Sequence, residues 1–109
     1  MARKTFDELL LEAVDEALSS LGESAKQSIY FHLQDKFKIS RDEIPKRIKE
    51  FSEGLERIFG VGARFLEIMI MKRLYAQIGK PLKWNENEEF IFVNYVEAAR
   101  RSFQRSKAK

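Results

Sequence analysis

The sequence predicts an all-α protein, a compact bundle of four long helices plus one short helical turn. Two observations carry this prediction. Apolar residues recur at helical spacing along most of the chain. Four segments also open with the same signal, a capping residue followed three positions later by Glu or Gln. Five helical segments can be read in this way, and no strand is predicted.

Thr5 with Glu8 opens the first helix, in which Phe6, Leu9, Leu10, Ala13, Val14, Ala17, Leu18 and Leu21 form one apolar stripe and Gly22 supplies a C-terminal cap. Ser24 with Gln27 opens the second, with Ile29, Tyr30, Leu33 and Phe37 on one side. A third capping box, Ser40 with Glu43, precedes Pro45. Proline disfavours helical geometry at the residue before it, so one short turn is expected there, with a new helix from about Pro45 or Lys46. That helix turns Ile48, Phe51, Leu55, Ile58 and Phe59 inward, and Gly60 or Gly62 interrupts it. The fourth helix, roughly 61 to 78, is apolar around most of its circumference, with Phe65, Leu66, Ile68, Met69, Ile70, Met71, Leu74 and Tyr75. Such a helix forms either the centre of a bundle or a subunit interface. Gly79 and Pro81 mark a loop, after which Asn85 with Glu88 opens the last helix, whose stripe is Phe92, Tyr95, Val96, Ala99 and Phe103. Residues 104–109 are expected to fray as a basic tail.

A chain of 109 residues, 44% hydrophobic and 34% charged, supports one domain over residues 1–109 with a single core. With no cysteine it offers no disulfide, thiolate metal site or cysteine nucleophile. No apolar run is long enough to span a membrane and the first residues lack the stretch of a secretory signal, so a cytoplasmic protein is expected. The net charge of +3 is concentrated late: Arg100, Arg101, Arg105, Lys107 and Lys109 stand against Glu97, and the rest is close to neutral.

Chemistry-bearing patterns are sparse. The single histidine, His32, lies between Phe31 and Leu33 and reads as a surface or boundary residue; Ile29 stands where a di-iron bundle would need Glu. Glu8, Glu12, Asp15 and Glu16 make an acidic side on the first helix, which reads as a solvated face because no calcium-loop pattern accompanies it. No Gly-x-Ser-x-Gly elbow is present. Phe59-Gly60-Val61-Gly62-Ala63 lacks the Gly-Lys-Ser/Thr of a phosphate loop and reads as structural, Gly60 giving a left-handed cap while Gly62 and Ala63 let helices approach closely. No catalytic residue, metal or cofactor is expected.

Tyr30-Phe31-His32-Leu33, Ile39 through Pro45, Phe51, Leu55, the run Ile58 to Ala63, Glu67, Ile70 and Leu74-Tyr75 resemble an archaeal helical family of the Nitrosopumilus output domain type. The resemblance covers residues 28–79, and its most specific element is the Phe-Gly-x-Gly-Ala junction with Glu67 four residues later. It implies an archaeal source and a module acting downstream of sensor domains in signalling chains. This chain carries no sensor domain, so a free-standing version reads as an adaptor.

The expected function is therefore a regulatory or adaptor module that binds another protein, or itself as a homodimer, through surplus apolar surface; Trp84, Phe90, Ile91 and Val93 are the expected contact residues. The alternative is DNA or RNA binding through the basic helix end, with Arg100, Arg101, Arg105, Lys107 and Lys109 touching phosphate. The third helix does not strengthen it, because Glu50, Glu53 and Glu56 dilute Lys46, Arg47, Lys49 and Arg57.

Overall fold

Five α-helices and two 3-10 turns build the molecule: α1 (Phe6–Ser19), α2 (Glu23–Phe37), a 3-10 turn (Arg41–Lys46), α3 (Ile48–Phe59), a second turn (Gly60–Gly62), α4 (Ala63–Ile78) and α5 (Phe92–Lys107). The computed structural model describes residues 4–81 and 91–107, with side chains through Arg105. The all-helical class is as expected, but there are five α-helices where four long ones were anticipated. As expected, a short turn precedes α3 as a separate element, and it is of the 3-10 type.

Local chemistry explains the boundaries. Glu8 N–H donates to Thr5 Oγ1 (3.1 Å) while Thr5 N–H donates to Glu8 Oε1 (2.9 Å), which closes the box that starts α1. The bonds with Thr5, its backbone N–H first, hold the Glu8 carboxyl below its usual range. Ser24 starts nothing: α2 begins one residue earlier behind Gly22, whose φ of 106° and ψ of 149° suit glycine alone. The chain turns at Ser20 and Leu21, so Leu21 leaves the α1 stripe and is exposed. Lys38, in left-handed geometry, closes α2; its carbonyl accepts from Arg47 Nη1 (2.7 Å) and its ammonium donates to the Asp35 carbonyl (2.9 Å).

Ser40 N–H donates to Glu43 Oε1 (2.9 Å), opening a 3-10 turn that continues through Pro45. Its Ile44 and Pro45 are buried, and α3 starts only at Ile48. Gly60 does carry a positive φ (61°), although its ψ of −134° lies outside the left-handed helical region. Gly79 caps α4 in left-handed geometry, with Lys80 N–H donating to the Tyr75 carbonyl (3.1 Å). The expected Asn85–Glu88 box lies outside the described residues. Ile91 sits just ahead of α5 and accepts from Tyr95 N–H, and α5 extends past Phe103 to Lys107.

The principal extents are 41, 40 and 22 Å, and the short one is about two helix diameters, so the helices lie in two layers. α4 is central: it packs most extensively on α1 and also on α5 and α3. Leu66, Ile70, Met71 and Leu74 form its inner face. They share one core with Leu10, Val14 and Leu18 of α1, Phe51 and Leu55 of α3, and Phe92 and Val96 of α5. At the α3–α5 contact the Phe51 and Phe92 rings stand 6.2 Å apart. The tight approach falls not at Gly62 but at Gly54 on α3, where a Cβ would come within 2.7 Å of a Leu33 methyl on α2; at Gly62 the nearest such atom is 3.8 Å away.

These two glycines give opposite expectations. Gly62 has helical angles and room, so Gly62→Ala should stabilise by about 0.5 kcal/mol through the unfolded chain. Leu33 is fully buried and cannot swing out to solvent, so Gly54→Val should destabilise by about 2 kcal/mol. Urea denaturation of both variants checks the pair; equal effects would contradict the α2–α3 geometry.

Candidate functional site

A bundle helix normally turns its polar residues outward. On α4 and the turn before it, the outward positions include, beside polar ones, Val61, Phe65 and Met69, exposed to 95%, 73% and 39%. Phe65 and Met69, four residues apart, lie in one row along α4, and Val61 stands in the 3-10 turn that leads into it. Past Met69 the row runs into a shallow open depression of about 440 Å³ between α1 and α4, lined by Glu16, Ala17, Met69, Lys72, Arg73 and Ala76. Two alanines, one on each wall, leave the concavity. Arg64 of α4 is exposed next to Phe65 in sequence, and Lys72 and Arg73, also exposed, line the depression. The only carboxylate in residues 60–81, Glu67, faces inward and is buried. Arg73 pairs across the depression with Glu16 of α1 (2.5 Å).

Glu67 accepts a hydrogen bond from Ser52 Oγ of α3 (2.6 Å), joining the only two buried polar side chains among the described residues. Burial pushes its carboxyl above the ordinary range, with Glu56 adding to the effect, and the Ser52 bond only partly offsets this. Nothing else chemical converges there, and among the described residues no group of three or more acidic or histidine side chains could hold a metal ion. His32 is exposed on α2 beside exposed Phe31.

The acidic side of α1 is less a solvated face than a set of latches. Glu12 pairs with Lys4 (2.5 Å) and Glu16 with Arg73. Asp15 accepts from Tyr30 Oη (2.5 Å) and from Arg41 Nη2 (2.6 Å), tying α1 to α2 and to the first 3-10 turn. Burial pushes the Asp15 carboxyl up, but the bonds from Arg41 and Tyr30 outweigh it and hold the carboxyl below its usual range. Burial and the bond to Asp15 raise the Tyr30 hydroxyl well above the range of a free phenol.

The expected contact residues fare unevenly. Trp84 and Phe90 lie outside the described residues. Ile91 is 43% exposed ahead of α5, whereas Val93 is half-buried against the core. Among the basic residues, Arg100 is committed within the fold. Its Nη1 binds Asp7 (3.1 Å), its Nη2 donates to the Pro45 carbonyl (2.8 Å), and its guanidinium sits 4.8 Å from the centre of the Phe6 ring. It therefore fastens α5 to α1 and the first turn and is not available to phosphate. Arg101 and Arg105 are exposed one helical turn apart, Lys107 ends α5, and Lys109 lies outside the described residues.

Sequence reasoning named Trp84, Phe90, Ile91 and Val93 as contact residues and left the apolar fourth helix open between core and interface, without singling out Val61, Phe65 and Met69 as its exposed side. A usable signal was present: Arg64, Lys72 and Arg73 mark the wet side of α4, and Phe65 falls among them on the helical wheel. No helix among the described residues is long and apolar enough to cross a membrane. No family model, curated protein or solved structure matches this chain.

Two expectations follow. Arg100→Ala should cost about 1–2 kcal/mol in chemical denaturation, and Arg100→Lys should not restore it because the planar fork is lost, while Arg101→Ala should be neutral. Glu67 binds its proton more tightly folded than unfolded, so the stability it contributes is present below the ordinary carboxylate range and lost as pH rises through its raised value. Glu67→Gln should remove that fall and be at least as stable as the parent at pH 7. A variant that kept the parent's pH slope would assign the slope to another group.

Proposed function

We propose that this chain is a non-enzymatic interaction module, a regulatory or adaptor domain that binds another protein through the outer face of α4. The observation that carries this reading is Phe65, a large apolar side chain left 73% exposed at the middle of a row with Val61 and Met69. Leaving such a side chain in water forfeits about 2 kcal/mol that burial would supply. A lone exposed residue of this kind is ordinary, but a row continuing into a concavity has the form of a contact patch. The segment 28–79 that contains it also carries the resemblance to the archaeal output-domain family, and on that resemblance the module serves a signalling chain.

A homodimer through this face is the weaker form of the proposal, because a two-fold pairing would bring the cations Arg64 and Lys72 of both copies into one interface. Nucleic-acid binding is kept as a second reading on one observation, the exposed pair Arg101 and Arg105 on α5. It predicts salt-sensitive retention on heparin that Arg101→Glu with Arg105→Glu abolishes.

Phe65→Glu should leave the unfolding midpoint within about 0.5 kcal/mol of the parent, because the side chain supports little of the core. Used as bait in nuclease-treated lysate of the native source, the parent should retain a protein at fixed stoichiometry that the variant loses. Identical recovery by both would remove α4 as the contact face, and a concentration-dependent dimer in light scattering that Phe65→Glu dissolves would make the partner a second copy.

A further inference from the structure

Resting on that reading, we infer that the partner is an amphipathic helix with Asp or Glu flanking its apolar stripe, laid along the outer face of α4 with one large apolar side chain seated in the depression between Ala17 and Ala76.

Shape comes first. From Val61 to Ala76 the face runs about 20 Å, the length of roughly four helical turns. It is a row of apolar side chains followed by a hole with small residues on either wall, and a helix supplies the matching knobs at intervals of three and four residues. Phe65 and Met69 would lie in the partner's grooves, and the hole would take a Leu, Phe or Trp.

Charge then selects among helices. Arg64, Lys72 and Arg73 lie on the exposed side of α4, and no exposed carboxylate of α4 offsets them. The far wall contributes one acid, Glu16, already paired to Arg73. A basic helix would meet Arg64 and Lys72, cations without an ion pair among the described residues, whereas an acidic one would meet complementary charge along the α4 side. A flat anionic surface fits less well, because it would also press on Glu12 and Glu16 of α1. A phosphate backbone would leave Val61, Phe65 and Met69 uncovered.

The test uses the full chain as bait against displayed helices of about 18 residues, slightly longer than α4. Their apolar stripe is fixed and the flanking positions vary among Glu, Lys and Gln. The expected result is at least tenfold enrichment of Glu over Lys. A selected peptide, measured by fluorescence anisotropy, should bind at least tenfold more weakly to Phe65→Glu and to Ala76→Phe, which fills the hole from an exposed position, and several-fold more weakly to Lys72→Glu. Selection without charge preference, with binding still lost in Phe65→Glu, overturns the acidic partner and leaves the contact face standing. Failure to select any helix whose binding depends on Phe65 overturns both. Tighter Phe65-dependent binding to phosphatidylserine vesicles or to duplex DNA than to the selected peptide also overturns the inference, in favour of lipid or nucleic acid respectively.

Discussion

The seating of α4 against α1 is the constraint from which the other arrangements follow. Ala13 and Ala17 on α1 and Ala63 at the start of α4 are buried and small, so little side-chain volume holds these helices apart at those positions. Leu66, Ile70, Met71 and Leu74 are removed from water on that side, each worth about 2 kcal/mol of burial. Once α4 is seated, α3 and α5 complete its cover, and α2 closes over α1 and α3. A slab only 22 Å thick holds two layers, and a helix in a two-layer slab keeps one side open however many neighbours it has. The exposure of Val61, Phe65 and Met69 is thus a geometric result of the layering, and it coexists with the central position of α4.

Apolar burial alone sets neither the register nor the tilt of these helices; directional contacts add that. Asp15 joins three elements by accepting from Tyr30 and Arg41. Arg100 joins α5 to two of the same elements, α1 and the first turn, through Asp7, the Pro45 carbonyl and the Phe6 ring. Both sit at the rim of the core, where partial solvation lowers the cost of bringing charges together. The Ser52–Glu67 bond is the exception, buried between α3 and α4. A carboxyl there is tolerated because its raised pKa favours the neutral form, which can still accept the serine hydroxyl bond.

The helices were legible in the sequence wherever one local rule acted alone. Thr5 with Glu8 starts α1, Ser40 with Glu43 starts the first 3-10 turn, and Gly79 ends α4, as their side chains or their lack of one require. Ser24 misled because a capping residue is effective only where the chain has just left a turn, and Gly22 had already set that turn. Gly54 was silent because its role lies in a contact with α2, which no local pattern reports. Arg100 looked like part of a basic tail for the same reason: its partners Asp7 and Pro45 are far away in sequence. The apolar girth of α4 was plain, but periodicity registers apolar residues without telling which of them the fold covers.

The cations around that uncovered side bear on a difficulty that any such surface creates. Three apolar side chains in a row beside a concavity invite contact with any similar surface, including the same face on another copy. On the proposed reading, Arg64 and Lys72 would oppose that encounter by like-charge repulsion, acting before the apolar atoms meet, within roughly a Debye length of 8 Å at physiological salt. For an acidic helix the same charges would attract rather than repel, and would speed the encounter. On this reading the ring of cations performs two tasks with one set of residues, keeping the face open in the unbound chain and choosing what closes it. Neutralising them should then weaken the acidic partner and promote self-association together, a coupling that a purely solubilising ring would not produce.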